Sequence, residues 1–247
     1  MTDTVGLIGI GAFGEFILPH LSKHFKVKVY DKFRNPAQLK AIAKKNNAQL
    51  VTEIDDLCDS DIVMIATPVR AFEDVVKTIA RQVRKGQLVI DVGSVKELPA
   101  KILQKHLPKG VDIIGLHPLF GPQSGKNGIK GLNITVCNVR GKRDVKLIKF
   151  FKQKLGLNVI ISTPTKHDQE LAYVQGLTHL IGKVFVGLDL PEFAQTTKTY
   201  ELLKQMVEMV RYDSDELFRT IERDNPYTAN AKKAFFKSVS ELEKKLG

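Results

Sequence analysis

The sequence predicts an α/β protein, in which a doubly wound, mainly parallel sheet is followed by an all-helical C-terminal domain. Two patterns predict this architecture. Short apolar runs alternate with amphipathic stretches up to residue 162, as expected for strands joined by crossover helices. Beyond residue 165 the strand pattern ends and only helical periodicity continues. Two domains are therefore predicted, at residues 1–165 and 166–247.

The alternation assigns each element in turn. Strands are predicted at residues 5–10, 26–30, 61–66, 87–91, 111–116, 133–137 and 158–162. Helices are predicted between them at residues 13–25, 36–46, 71–83, 95–106 and 143–155. Helical periods then occupy residues 166–188, 192–211, 213–224 and 227–246.

The turn after the first strand carries a glycine signature. Gly9, Gly11 and Gly14 have the spacing G-x-G-x-x-G between a strand and a helix, and Asp31 ends the next strand. The first glycine permits a tight turn, the second lets a pyrophosphate approach the backbone, and the third lets the helix pack on the strand. The helix N-terminus offers N–H groups to the phosphates. This combination predicts a Rossmann-type dinucleotide-binding domain.

The acid at the end of the second strand bears on the choice of dinucleotide. Asp31 lies 20 residues after Gly11, where a carboxylate accepts hydrogen bonds from the adenine ribose and repels a 2′-phosphate. This favours NAD, but Lys32 and Arg34 can pair with that phosphate, so NADP stays open. The predicted cofactor-contacting residues are Gly9, Ile10, Gly11, Ala12, Phe13, Gly14, Asp31, Lys32, Arg34, Thr67 and Pro68.

The positive charge of the chain is confined to its first part. The net charge is +11, and residues 1–165 contain 26 Lys and Arg against 14 Asp and Glu, whereas residues 166–247 contain 12 against 13. A basic surface can steer an anionic cofactor and substrate, can contact nucleic acid, or can consist of solvated lysines. Clusters that combine aromatic and basic residues are missing, so no nucleic-acid partner is predicted.

The composition indicates a globular protein without a membrane partner. The apolar content of 43% is ordinary, and no apolar run approaches the roughly 18 residues that span a bilayer. The N-terminal residues do not resemble a signal peptide. Cys58 and Cys137 have no metal-type spacing. We therefore predict no metal and a cytoplasmic location, with both cysteines as small buried hydrophobes.

Two polar residues stand where predicted strands end. His117 follows an apolar run and precedes a loop rich in Gly and Pro. Ligands of open α/β sheets bind at this edge, and imidazole is suited to accept a proton near neutral pH. A core or capping histidine is the alternative. Ser94 ends the preceding strand, and its alternative is the N-cap of a helix beginning at Val95.

Four segments occur in an order that resembles one enzyme family. They are Gly9–Gly14, Asp91-Val-Gly-Ser-Val-Lys96, Gly115-Leu-His-Pro-Leu-Phe-Gly-Pro122 and His167-Asp-Gln-Glu-Leu-Ala-Tyr-Val-Gln-Gly-Leu-Thr-His179. Over nearly its whole length the chain resembles the prephenate/arogenate dehydrogenase family of tyrosine biosynthesis. The run from Phe120 to Gly131 and the later Lys198-Thr-Tyr-Glu201 are most similar to plant-type arogenate dehydrogenases.

The resemblance implies an oxidative decarboxylation. A cyclohexadienol loses hydride to the nicotinamide and CO2 to solution, and its ring becomes aromatic. His117 matches the family histidine that takes the proton of the ring hydroxyl. Ser94 matches the serine beside it, which orients that histidine or the hydroxyl.

The resemblance also carries over residues of the helical domain. Gln175, Thr178 and His179 match positions that face the substrate, and positions 175 and 179 share a helix face. His179 is expected to bind a substrate carboxylate or to shape the pocket, a satisfied core histidine being the alternative. Thr197 and Lys198 match plant-type positions that contact the substrate. Helical domains of this kind commonly supply a substrate-site wall and a dimer interface, so a homodimer through this domain is expected.

Two positions bear on the choice between arogenate, which carries an ammonium, and prephenate, which carries a keto oxygen. Asp213 matches a position that is acidic in plant-type enzymes preferring arogenate, although it is also placed to cap a helix at residues 214–222. Bacterial prephenate dehydrogenases commonly use an arginine where this chain has Glu201. Both positions favour arogenate, with prephenate as the alternative substrate.

Two other classes of protein remain as alternatives. Rossmann reductases of hydroxy acids or imines generally place a catalytic lysine on a helix of their second domain. Lys183 is the one mid-helix candidate near the domain boundary, and its neighbours in sequence do not support that role. An NAD-sensing regulator or nucleic-acid binder would use the basic face of residues 1–165.

Overall fold

A computed structural model of the protein describes residues 3–247, and the chain divides into two compact units between Pro164 and Thr165. The first unit contains one sheet with the strand order β3-β2-β1-β4-β5-β6-β7-β8. Its strands are β1 (Thr4–Ile8), β2 (Lys26–Tyr30), β3 (Gln49–Leu50), β4 (Ile62–Ile65), β5 (Leu88–Asp91), β6 (Asp112–Pro118), β7 (Asn133–Arg140) and β8 (Asn158–Ser162). Among the strands within residues 3–247, only β6 and β7 pair antiparallel, which confirms the doubly wound, mainly parallel sheet.

Helices cover both faces of this sheet, because the strands alternate buried side chains between two cores. The helices of the unit are α1 (Ala12–Ser22), α2 (Pro36–Lys45), α3 (Val69–Ile79), α4 (Glu97–His106) and α5 (Asp144–Gln153). Leu7 faces the core on α1, α2 and α5, whereas its neighbour Ile8 faces the core on α3 and α4. The short β3 and a 3₁₀ turn at Ile54–Leu57 were not predicted from the sequence.

The loop between β6 and β7 takes the place of a crossover helix. An antiparallel neighbour needs no crossover, so residues 119–132 connect these strands without a regular element. Phe120 and Ile129 of this loop are buried in the core on the α1 side. The ring of Phe120 lies 6.3 Å from that of Phe16 on α1. The loop after His117 is therefore anchored by apolar packing.

The second unit consists of helices, as predicted. They are α6 (Pro164–Leu171), α7 (Thr178–Gly187), α8 (Lys198–Arg211), α9 (Asp215–Arg219) and α10 (Thr228–Leu246), with π-helical turns at Ala172–Leu177 and Thr220–Asp224. The prediction of a helix from residue 192 is wrong for its first turn and a half, since residues 192–197 are exposed and non-helical. A Cβ on Gly182 of α7 would lie 2.2 Å from Val210 of α8, so this glycine permits their close packing.

Within residues 3–247, no helix has both the length and the apolar character that are needed to span a bilayer.

Candidate active site

Four predicted site segments follow four neighbouring parallel strands. The register aligns Ile8 with Ile65, Ile65 with Asp91, and Asp91 with Gly115, across β1, β4, β5 and β6. The predicted residues that follow this row by one to three positions are Gly9, Thr67, Ser94 and His117. Because the carboxyl ends of parallel strands meet at one edge, the fold brings these candidates to the edge where α/β proteins bind ligands.

The fold restricts a side chain at the three glycines of the signature to different degrees. Gly9 has φ +97, and a Cβ there would lie 2.6 Å from the Ala66 carbonyl oxygen. A Cβ on Gly14 would lie 2.0 Å from the Gly9 carbonyl oxygen, so the close packing of α1 on the turn requires this glycine. No described atom lies within 4 Å of a Cβ placed on Gly11. Gly11 is therefore not required by the fold, and its surface is open to a ligand.

The groups around Gly11 fit the phosphates of a dinucleotide. Gly11 is the N-cap residue of α1 and has no side chain to cap the first-turn N–H groups, which begin at Ala12 and Phe13. Such a terminus favours anions. At the end of β4, the buried Thr67 hydroxyl has no hydrogen-bond partner among residues 3–247. Pro68 follows as the N-cap residue of α3.

Asp31 organises the turn that follows β2. Its carboxylate accepts hydrogen bonds from the backbone N–H of Ile10 at 2.7 Å and of Phe33 and Arg34 at 2.8 Å. The Arg34 guanidinium donates to the Ile10 carbonyl oxygen and pairs with Glu15 of α1 at 2.6 Å. Asp31 and Arg34 thus both connect this turn to the glycine loop, and their contact with a bound ribose stays a prediction.

Lys32 lies on the outer side of the same turn. Its side chain is exposed, and its Nζ is 5.7 Å from the centroid of the Phe33 ring. Of the two basic residues that could pair with a 2′-phosphate, Lys32 is the more accessible, since Arg34 is less exposed and already pairs with Glu15.

His117 and Ser94 occupy neighbouring positions of the sheet edge. His117 is the penultimate residue of β6, pairs in register with Thr135 of β7 and is 4% exposed. Ser94 is half-buried in the turn between β5 and α4. The alternative that Ser94 caps a helix beginning at Val95 is wrong, because α4 begins at Glu97 and has Lys96 as its N-cap residue.

In the helical unit, two polar residues of α7 and a third about 30 residues away form one cluster, which we call the His179 cluster. Nδ1 of His179 on α7 lies 3.3 Å from Oδ2 of Asp213. Lys183, one turn further along α7, donates to the Asp213 carbonyl oxygen at 3.1 Å. Asp213 does not cap α9, since the N-cap residue is Ser214, whose hydroxyl accepts from the Leu217 N–H. The capping alternative for Asp213 is therefore wrong.

Burial controls the protonation of the His179 cluster. Burial, together with the charge of Lys183, lowers the pKa of His179 to about 4. Burial raises the pKa of Asp213, and Lys183 acts in the opposite direction. The 3.3 Å contact does not align as a hydrogen bond, so Nδ1 of His179 has no hydrogen-bond partner among the described residues. At neutral pH, His179 is a neutral imidazole beside a partly desolvated carboxylate, and the cation of the cluster is Lys183.

The remaining predicted residues of the helical unit are spread over three elements. Thr197 is the N-cap residue of α8, and its hydroxyl accepts from the Tyr200 N–H at 3.2 Å. Lys198 is the exposed first residue of that helix. The Thr178 hydroxyl donates to the Val174 carbonyl oxygen at 2.6 Å. Gln175 lies within the π-helical turn, a feature that is frequent at functional sites.

Sequence reasoning assigned no role to two lysines that the structure places near the candidates. Lys183 belongs to the His179 cluster, but its partner Asp213 is 30 residues away, so no local pattern reveals the contact. Lys96 is buried and pairs with Asp91 next to the end of β6. The sequence feature that could have revealed this pair is the presence of an aspartate and a lysine at the two ends of the turn that carries Ser94.

Known sequences of one family match this chain. Residues 21–133 match the family described as "Prephenate dehydrogenase, nucleotide-binding domain"; this range includes Ser94 and His117 and begins after the glycine loop. The chain is 31% identical over 232 residues to arogenate dehydrogenase 2, chloroplastic, of Arabidopsis thaliana, which covers 90% of this chain and 64% of that protein. It is 32% identical over 198 residues to a probable arogenate/prephenate dehydrogenase of Methanocaldococcus jannaschii. That match covers 74% of this chain and 44% of the relative. The chain thus spans less than two thirds of the length of either relative.

A solved structure has the same fold. The crystal structure of prephenate dehydrogenase from A. aeolicus in complex with hydroxyphenyl propionate and NAD+ has a TM-score of 0.77 to this chain at 22% identity, covering 99% of this chain and 90% of that one. The likeness extends over the parallel sheet and the helical unit alike. This likeness shows the fold, and the sequence matches show that the chain is similar to the prephenate/arogenate dehydrogenase family.

Proposed function

We propose that this protein is an NAD(P)-dependent dehydrogenase that converts L-arogenate to L-tyrosine and CO2, with prephenate as the alternative substrate, giving 4-hydroxyphenylpyruvate. The observation that carries this proposal is the position of Ser94 and His117 at the ends of adjacent parallel strands, on the same sheet edge as the glycine loop. The two relatives, an arogenate dehydrogenase and a probable arogenate/prephenate dehydrogenase, support the substrate class.

The proposed chemistry needs one residue that moves a proton. A bound nicotinamide dinucleotide supplies the acceptor for the hydride that leaves the ring carbon bearing the hydroxyl. His117 accepts the hydroxyl proton as the carbonyl forms. Loss of CO2 then leaves an electron pair in the ring, and His117 returns the proton to the oxygen as the ring becomes aromatic. Ser94 orients the histidine or the hydroxyl during these steps.

The residues at the edge of β1 and β4 fit the cofactor. The open surface at Gly11 and the uncapped N–H groups of α1 would hold the pyrophosphate, and the Thr67 hydroxyl offers a further hydrogen bond. Asp31 at the end of β2 favours NAD. Arg34 is already paired with Glu15, which also favours NAD, whereas the exposed Lys32 keeps NADP open.

The His179 cluster supports arogenate as the substrate. Burial raises the pKa of Asp213, so its carboxylate would be stabilised by a further cation. The ammonium of arogenate is such a cation, and prephenate has no equivalent group. Because His179 is neutral at neutral pH, it would bind a substrate carboxylate through a hydrogen bond, while Lys183 or Lys198 would supply the charge.

Replacement of Asp213 by asparagine is expected to shift the preference toward prephenate. A hydrogen bond to a charged group contributes about 1.5–3 kcal/mol, which corresponds to a fall of roughly 10- to 150-fold in the ratio of kcat/KM for arogenate to kcat/KM for prephenate. Steady-state kinetics with each substrate separately measure this ratio. Asp215→Asn is the matched control, since this exposed carboxylate lies two residues further along the chain. Equal ratios in both variants and the wild type would remove Asp213 from substrate selection.

We also propose that two copies of the chain associate through the helical unit. The last helix exposes apolar side chains at roughly helical spacing, namely Phe236, Val239, Leu242 and Leu246. An exposed apolar stripe of this kind is typical of interaction surfaces. A second copy of the same helix offers a matching stripe, as two-fold association requires. Sedimentation velocity of the wild type and of Leu242→Glu measures the association state.

The proposed function is tested by reduction of NAD and of NADP at 340 nm, with arogenate and prephenate offered separately. Turnover of arogenate in strong excess over prephenate is the expected result. Turnover of prephenate alone would keep the family chemistry and contradict the assignment of substrate. No turnover of either would contradict the proposed function and favour another Rossmann reductase.

A further inference from the structure

We infer that Lys96 and Asp91 form a buried positioning pair that fixes the ends of β5 and β6 relative to each other and thereby holds His117 in register with Ser94. The inference rests on the proposed function for its kinetic test, but its geometry lies entirely within the first unit.

The pair connects two strands at the point where the candidate site begins. The Lys96 Nζ pairs with the Asp91 carboxylate and donates to the Leu116 carbonyl oxygen at 2.8 Å. Asp91 is the last residue of β5, and Leu116 immediately precedes His117 in β6. One ammonium group therefore binds the end of one strand and the backbone that carries the proposed base.

The same carboxylate also orders the turn that carries Ser94. Oδ1 of Asp91 accepts a hydrogen bond from the Gly93 N–H at 2.8 Å. Gly93 precedes Ser94, and Lys96 closes the turn two residues after it. The side chains of Asp91 and Lys96 thus connect the turn that carries Ser94 to the backbone that precedes His117.

The residues around this buried pair leave room for it. The side chains of Lys96 and Asp91 are 0% and 3% exposed, so the cost of burying their charges must be offset by the contacts they make. Gly115 of β6 leaves room for the lysine, since a Cβ there would lie 3.0 Å from Lys96 Cδ and 3.7 Å from Asp91 Oδ2. The missing side chain at position 115 is therefore filled by the aliphatic part of Lys96.

A pair with only a structural role would stabilise the fold without affecting turnover. Removing one partner leaves a buried charge without compensation and destabilises a protein strongly, whereas removing both charges is often close to neutral. The informative variant is therefore the double change Asp91→Asn with Lys96→Met. It removes both charges and keeps the bulk of each side chain and an acceptor for the Gly93 N–H.

The double variant is expected to fold and to bind cofactor as the wild type does, with unchanged KM and a kcat about 10²-fold lower, because displacement of a catalytic group by about 1 Å has an effect of that order. The control is Lys28→Met on β2, which breaks the 2.7 Å pair between Lys28 and Asp59 and should leave kcat unchanged. A stable double variant with wild-type kcat would overturn the inference.

Gly115→Ala provides a test if the double variant does not fold. The added methyl group presses on Lys96 without altering a charge and should lower kcat about tenfold.

A second readout separates this inference from the proposed function. The imidazole signals of His117, assigned by their loss in His117→Asn, are followed by NMR in the wild type and in the double variant. These signals should move, while those of His24, whose ring packs on Phe150 at 5.3 Å, should not. Unchanged His117 signals would overturn the inference. If the wild type turns over neither substrate, the proposed function fails, and the NMR result alone decides the positioning role.

Discussion

Replacing His117 by asparagine is expected to lower kcat by about 10²- to 10⁴-fold, the contribution typical of a general base. Asparagine keeps a polar side chain of similar reach at the end of β6 but cannot accept the proton of the ring hydroxyl. The glycine loop lies at the end of β1, and β4 and β5 separate that strand from β6, so the affinity for the dinucleotide should stay unchanged. Stopped-flow or steady-state reduction of the cofactor measures kcat, and calorimetry measures cofactor binding.

The control for this variant is a second histidine of the same unit. His106 at the end of α4 contacts Glu73 through Nε2 at 2.9 Å and has no place in the proposed chemistry. His106→Asn should therefore keep wild-type turnover. Wild-type kcat in a folded His117→Asn protein would mean that the buried histidine has only a structural role, which was the alternative at the level of the sequence.

The second large effect is expected in the glycine loop, where alanine at Gly11 and alanine at Gly14 should impair the protein for different reasons. Gly11→Ala should leave the free energy of unfolding unchanged, because Gly11 has φ −73 and its Cβ would meet no described atom within 4 Å. Cofactor affinity should nevertheless fall by about 10²-fold, since the added methyl group blocks the approach of the pyrophosphate to the backbone.

Gly14→Ala should destabilise the fold itself. Its Cβ would lie 2.0 Å from the Gly9 carbonyl oxygen, and backbone atoms must move to accommodate it. Overpacking of this kind typically costs about 1–3 kcal/mol, which lowers Tm by roughly 2–12 °C in a chain of this size. Thermal unfolding and cofactor titration of the two variants together test the assignment. Normal cofactor affinity in Gly11→Ala would place the pyrophosphate elsewhere.

Several features of the fold could be predicted because they depend on neighbours in sequence. The strands at residues 26–30 and 158–162 were predicted at their observed bounds, because two-residue alternation or a short apolar run is a local property. The glycine spacing predicted the turn after β1 for the same reason.

Other features required contacts that the sequence pattern does not contain. The π-helical turn that carries Gln175 is one of them, since helix propensity alone would have continued a regular α-helix through it. The late start of α8 at Lys198 is instead a local effect, because the Thr197 hydroxyl caps the helix there. The antiparallel pairing of β7 also depends on how residues 119–132 pack against α1.

By itself, the sequence determined the parallel sheet, the helical tail and the edge at which Gly9, Thr67, Ser94 and His117 would lie, because each of these follows from periodicity and from where a strand ends. The tertiary structure alone decided that Lys96 joins Asp91 to the backbone before His117, and that Asp213, in the turn between α8 and α9, meets His179 and Lys183 of α7. Such contacts join residues that are separated along the chain, and the burial that sets their protonation exists only once the core has formed.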